Sequence, residues 1–194
     1  MKTRIKDFTE GKISKQLIVF SAPLFLSNLM QVIYNMADMF IVGQVHGKEG
    51  ISAVSVGGDL CNLLTFVAIG FSNAGQVLVA KYIGAGQKDK LGRFTGTMCS
   101  FLLSSALVIS VISIIFQDAL LKFMQTPEIA YKDAAEYSFI CMIGLVFIYG
   151  YNMVSAVLRG MGDSKNPFIF VSLAAVMNII LDVVFVVLDR KSVV

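Results

Sequence analysis

Two short sets of polar residues sit inside stretches that are otherwise almost wholly apolar. The first is Gln31, Tyr34, Asn35 and Asp38, within PLFLSNLMQVIYNMADMFIVG at 23–43; the second is Asn178 and Asp182, within PFIFVSLAAVMNIILDVVFVVL at 167–188. On a helix, positions i, i+3, i+4 and i+7 share one face, so the first set forms a polar stripe and the second a polar pair. A carboxylate near the centre of a membrane helix costs about 2.5–3.5 kcal/mol on insertion scales, and intramembrane acids mark ion and proton pathways. Asp38 therefore reads as an ion- or proton-handling residue that faces an internal cavity.

The elements that must position these residues are membrane helices. Of the 194 residues, 56% are hydrophobic and only 15% charged, against about 25% charged in soluble domains. The charges fall in short segments between apolar runs long enough to cross a bilayer, which takes about 20 residues. Five spans are expected, at 16–43, 51–83, 94–116, 133–158 and 167–188, making an all-α polytopic membrane protein. A basic segment, 1–15, precedes them, with a short interfacial helix expected around Ile5–Phe8. A tail, 189–194, follows. Residues 44–50 read as a turn. Gly84-Ala85-Gly86 reads as a helix end with glycine in the left-handed conformation, and Asn166 as an N-cap with Pro167 at the first helical position. Pro23 removes a backbone hydrogen bond within the first span, leaving either a passive bend or a hinge.

Lysine and arginine set the orientation. Eleven lie in the N-terminal segment and on that side of the membrane, against five on the other, so the N-terminus is cytoplasmic. Spans one and five then both run outward. Asp38 lies five residues before Gly43 and Asp182 six before Leu188, which puts both acids about 8–9 Å below the outer boundary at ~1.5 Å per residue. Two carboxylates, an amide and a tyrosine at one depth can share a proton or cage a small cation; each acid can alternatively be held neutral or capped for structural reasons alone. Asp59, about 12 Å below the same face on the second span, belongs either to a solvated rim of the cavity or to ion binding and substrate attraction. Tyr137 and Asn152 make the fourth span the most polar in aromatic character, and they join Gln31, Tyr34 and Asn35 as candidate cavity residues.

Other chemistries find little support. Cys61, Cys99 and Cys141 all lie in apolar runs and read as small buried hydrophobes. The single His46 is in a loop and no metal-ligand spacing exists, so the site needs no metal or cofactor beyond a coupling H⁺ or Na⁺. An intramembrane enzyme would need a nucleophile and base at helical spacing, which is absent. The basic residues are loop charges and imply no nucleic-acid partner. No cleavable signal is expected before the first span, whose apolar run is too long.

The chain resembles the N-terminal lobe of the multidrug and toxic compound extrusion (MATE) transporters, particularly the DinF-like branch. The resemblance rests on Pro23, Gln31, Tyr34, Asn35, Asp38, Val42 and Gly43, on GFSNAGQVLVAKYIGAGQKDK at 70–90, on VLRGMGDSKNP at 157–167 and on MNIILD at 177–182. It covers residues 12–188. It implies export of small, cationic, amphipathic compounds driven by inward H⁺ or Na⁺ movement, in a bacterial cell membrane. It also implies that Asp38 couples the ion, joined by Asn178 and Asp182, and that Pro23 takes part in rearranging the first helix. Members have two six-helix lobes. Five spans leave the sixth helix and the C-terminal lobe unaccounted for, and the tail DRKSVV departs from the expected continuation, so an early-ended reading frame is the simplest expectation. Asp59 also departs from the family pattern. Alternatives are a relative that flips lipid-linked oligosaccharides and a non-transporting membrane interaction protein.

Overall fold

Backbone N–H and C=O groups that cross lipid must be paired within their own segment, so apolar runs of this length close into helices. The computed structural model describes residues 12–192, with side chains described from 12 to 184 except at 46. The helices are α1 (Ile13–Val45), α2 (Gly47–Gly84), α3 (Lys88–Ile115), the short α4 (Gln117–Phe123), α5 (Glu128–Gly160) and α6 (Lys165–Ser192). All but α4 are long and apolar enough to cross a membrane. The N-terminal segment through residue 11, with the interfacial helix expected at Ile5–Phe8, lies outside the described residues. Of the tail 189–194, the backbone is described through Ser192 and continues α6.

The helices run past the apolar stretches because hydrogen-bonded turns cost nothing extra where water begins. The charged residues Lys88, Asp89, Lys90 and Arg93, read as loop, form the opening turns of α3, with Asp89 in the first turn, where an acid complements the helix dipole. The expected turn at 44–50 contracts to one residue. Helical dihedrals continue on both sides and break at Gly47, which adopts φ 62° and ψ −148°. Gly43 then packs against Ile51 so closely that a Cβ on Gly43 would lie 2.8 Å from Ile51 Cδ1. No atom would crowd a side chain at Gly47 itself, so its requirement is purely conformational. Gly47→Ala is expected to destabilise the chain by about 1–3 kcal/mol, read as a lowered unfolding midpoint in detergent.

Helix ends follow their capping chemistry. Gly86, at φ 67°, closes α2: its N–H reaches Ile83 O at 3.0 Å and that of Gln87 reaches Tyr82 O at 2.9 Å, the two-bond Schellman closure. Gln125, at φ 55°, closes α4 in the same way through Lys122 O and Leu121 O. At the start of α6 the expected cap is corrected. Asp163 Oδ1 accepts the N–H groups of Lys165 and Asn166, each at 3.1 Å, and Asn166 Nδ2 donates to Asp163 Oδ2. A carboxylate two residues upstream satisfies the free N–H groups better than Asn166 can. Pro167 thereby falls in the first turn, where its missing donor is not needed.

The chain divides into two units, one comprising residues up to Ile51 with those from Gly162 onward, the other Ser52–Met161. Within the second, small residues let α2 and α5 approach. A Cβ on Gly57 would lie 2.6 Å from the Tyr137 ring, and one on Gly160 would lie 2.8 Å from Gln76 O and from Val79 Cγ1. Packing rather than hydrophobicity drives association in lipid, so such close faces carry the fold. Between these contacts the wholly buried Tyr149 donates its hydroxyl to Leu64 O at 2.9 Å. It shares a core with Ala68, Met98, Leu102, Ala106, Leu145 and Ala156. Toward the other end, Arg159 Nε donates to Gln76 Oε1 at 2.9 Å. Helix α3 is tied to α5 by Ser110, whose hydroxyl donates to Met142 O at 2.6 Å, and Gln117 of α4 donates to Ala135 O and Ser138 Oγ. Large apolar side chains such as Phe25, Phe40, Ile140 and Phe147 point outward, as lipid-facing helix surfaces require.

Candidate functional site

In the first unit, the less exposed positions of α1 include Leu24, Ser27, Gln31, Tyr34, Asp38, Ile41 and Val45, while Phe25, Leu29, Val32, Met36 and Phe40 are exposed. The alternating spacing of three and four residues is the seam by which one helix packs against another. Helix α6 carries a matching seam of Pro167, Val171, Ala175, Asn178 and Asp182. Asp182 lies near enough to Asp38 for the charge of one to act on the other.

One oxygen of each residue of the α6 pair is buried and unsatisfied. Asn178 Oδ1 and Asp182 Oδ2 accept no hydrogen bond among the described residues. An unpaired buried acceptor costs about 1–3 kcal/mol, and a second carboxylate nearby adds repulsion. Such an arrangement suits a proton or a small hard cation: two carboxylates and an amide oxygen are oxygen donors of the kind that hold such ions, and no soft ligand stands among them. Among the described residues no group of three or more His, Cys, Asp or Glu side chains has the arrangement of a metal site.

The other residues singled out from sequence are placed as follows. Asn35 is exposed, off the seam that holds Gln31, Tyr34 and Asp38. Dihedrals remain helical through Pro23, whose carbonyl accepts the Ser27 hydroxyl at 2.9 Å. Tyr137 and Asn152 belong to the other unit: Tyr137 lies on the α2 backbone at Gly57, and Asn152 turns its amide back to Ile148 O of its own helix at 2.9 Å. Asp59 is exposed on α2, on the same face as Asn62 and Asn73, which are also exposed. That polar stripe escaped the sequence reading, although its helical spacing is the same signal that marks Asp38.

Five helices long and apolar enough to cross a membrane, two of which carry a half-buried acid, define a multi-pass membrane protein. Comparison with known proteins is specific. The family profile described as MatE matches residues 23–184, and the chain belongs to this family, whose members are transporters and not enzymes. It is 29% identical over 187 residues to the probable multidrug resistance protein YpnP of Bacillus subtilis, covering 96% of this chain and 42% of that protein. It is 32% identical over 173 residues to the probable multidrug resistance protein YoeA of the same organism, covering 89% and 37%. Among solved structures, an outward-facing multidrug resistance MATE transporter of the MOP superfamily superposes with a TM-score of 0.84 at 25% identity, over 91% of this chain and 39% of that one. The chain thus spans about two-fifths of the length of the relatives it matches.

Proposed function

We propose that this chain forms one lobe of a cation-coupled antiporter, driven by H⁺ or Na⁺, that exports cationic amphipathic compounds across the cell membrane. The observation that carries the reading is the pair of buried, unsatisfied acceptors, Asn178 Oδ1 and Asp182 Oδ2, on the seam where Asp38 acts on Asp182. A fold stabilised for its own sake would satisfy or remove these atoms; a transporter leaves them for the ion it carries. Asp38, Asn178 and Asp182 bind the coupling ion, and the presence of Asn178 and Asp182 favours the DinF-like branch. Gln31, Tyr34 and Asn35 of the first unit serve substrate binding, Tyr137 and Asn152 do so within the second, Asp59 attracts cations, and Pro23 serves as the hinge of α1. The partner is a second lobe, a reading that the greater length of the relatives supports.

The test is made on the chain itself in lipid vesicles. The unfolding midpoint is followed as Na⁺ replaces choline at fixed pH, and as pH falls at fixed Na⁺. An ion that binds only the folded chain at 100 times its Kd stabilises it by about 2.7 kcal/mol. A shift with Na⁺ identifies sodium coupling, and a shift with pH alone identifies proton coupling. If neither ion moves the midpoint, the coupling reading is wrong.

A further inference from the structure

Two thiols that this site does not use come together in the Ser52–Met161 unit. Cys61 is buried at 8% exposure on the same stripe of α2 as Gly57, Leu60 and Ala68. Its thiol lies close enough to that of Cys141 on α5 for the two to act on each other, and Tyr137 stands beside Cys141. Both cysteines are free thiols. The register that brings them together is set on both sides. One turn earlier, Gly57 and Tyr137 stand four residues before Cys61 and Cys141, and the absence of a side chain at Gly57 lets the ring approach the α2 backbone. Just beyond, Tyr149 holds Leu64 O. A disulfide needs Cα atoms roughly 4.4–6.8 Å apart, and helices reach that separation only where small residues let their backbones close up.

Metal binding does not account for the pair, since no third His, Cys, Asp or Glu joins it among the described residues. Two neighbouring free thiols on closely packed helices are the reduced half of a disulfide. Cys61 lies about ten residues into the second apolar span, or ~15 Å at ~1.5 Å per residue, near the middle of a ~30 Å hydrocarbon core. An oxidant that reaches it must dissolve in lipid.

We infer that Cys61 and Cys141 are a redox-active dithiol that a lipid-soluble quinone closes to a disulfide, stapling α2 to α5. Both S–H bonds break and one S–S bond forms. Two electrons and two protons pass to the quinone, which leaves as the hydroquinone. Cys141, the less buried of the two, meets the oxidant first, with Tyr137 beside it.

The test uses the whole wild-type chain in lipid vesicles, treated with a short-chain ubiquinone or, separately, with copper phenanthroline, then alkylated and mapped by peptide mass spectrometry. The expected product is one peptide pair joined through Cys61 and Cys141 and lighter by two hydrogens, with Cys99 alkylated throughout. A reductant reverses the link, and the oxidised chain unfolds at a higher temperature than the reduced one. Cys99→Ser keeps the link, whereas Cys61→Ser and Cys141→Ser abolish it. The inference fails if both oxidants leave Cys61 and Cys141 open to alkylation, or if the link that forms contains Cys99. It fails as well if copper phenanthroline closes the pair and the quinone does not.

Discussion

Asp38→Asn is expected to abolish the ion-dependent rise in unfolding temperature while leaving the chain at least as stable as the parent in ion-free buffer. The two halves of this result distinguish a working site from a structural one. Asp38 and Asp182 are half-buried and act on one another as like charges, and removing one charge with an isosteric amide relieves that repulsion. On the proposed coupling role the same change removes a ligand whose charge the ion needs, and export in the assembled transporter is expected to fall about 10- to 100-fold. Asp182→Asn should do likewise. The double variant should lose no more than either single one, because both acids act in one unit. A loss of stability in Asp38→Asn with the ion response intact would mean the acid is a structural cap. Stability rising as function is lost is the usual sign of a site kept strained for its task.

Gly160→Ala is expected to be the most destabilising of the single glycine changes in the helix contacts, by about 2–3 kcal/mol or more. The added methyl would stand 2.8 Å from the backbone oxygen of Gln76, and a helix backbone cannot step aside as a side chain can. Relief requires α2 and α5 to separate, which breaks the hydrogen bond from Arg159 to Gln76. Gly57→Ala meets the Tyr137 ring at 2.6 Å and should cost less, because the ring can tilt. Gly75→Ala meets only the flexible end of Met98 and should cost least. Unfolding of the three variants in mild detergent measures the order. If Gly160→Ala proves as mild as Gly75→Ala, the close approach at the end of α5 does not hold the unit together.

The kind of protein this is follows from composition and periodicity alone. Five apolar runs separated by charged segments admit only membrane helices, because lipid offers no partner to an unpaired backbone group. Asp38, Asn178 and Asp182 stand out for the same reason: a polar atom in an apolar run is costly, and its cost is legible wherever the run is. Helix ends were less legible. The carboxylate of Asp163 outcompetes Asn166 for the free N–H groups of α6, and a single residue, Gly47, does the work of a seven-residue turn; both are decided by local geometry that residue type only narrows.

What only the tertiary structure decided is which residues on different helices meet. Helical spacing says which side chains share a face, but not which face another helix covers. It could not separate Tyr34, on the covered seam, from Asn35, which is exposed. Nor could it say that the charge of Asp38 acts on Asp182, or that Cys61 and Cys141, unremarkable as two small apolar residues 80 positions apart, become neighbours where the bare backbone at Gly57 lets α5 come close. Spacing along a helix is a property of one segment; contact between segments depends on how near their backbones can come, and in lipid the smallest side chains set that distance.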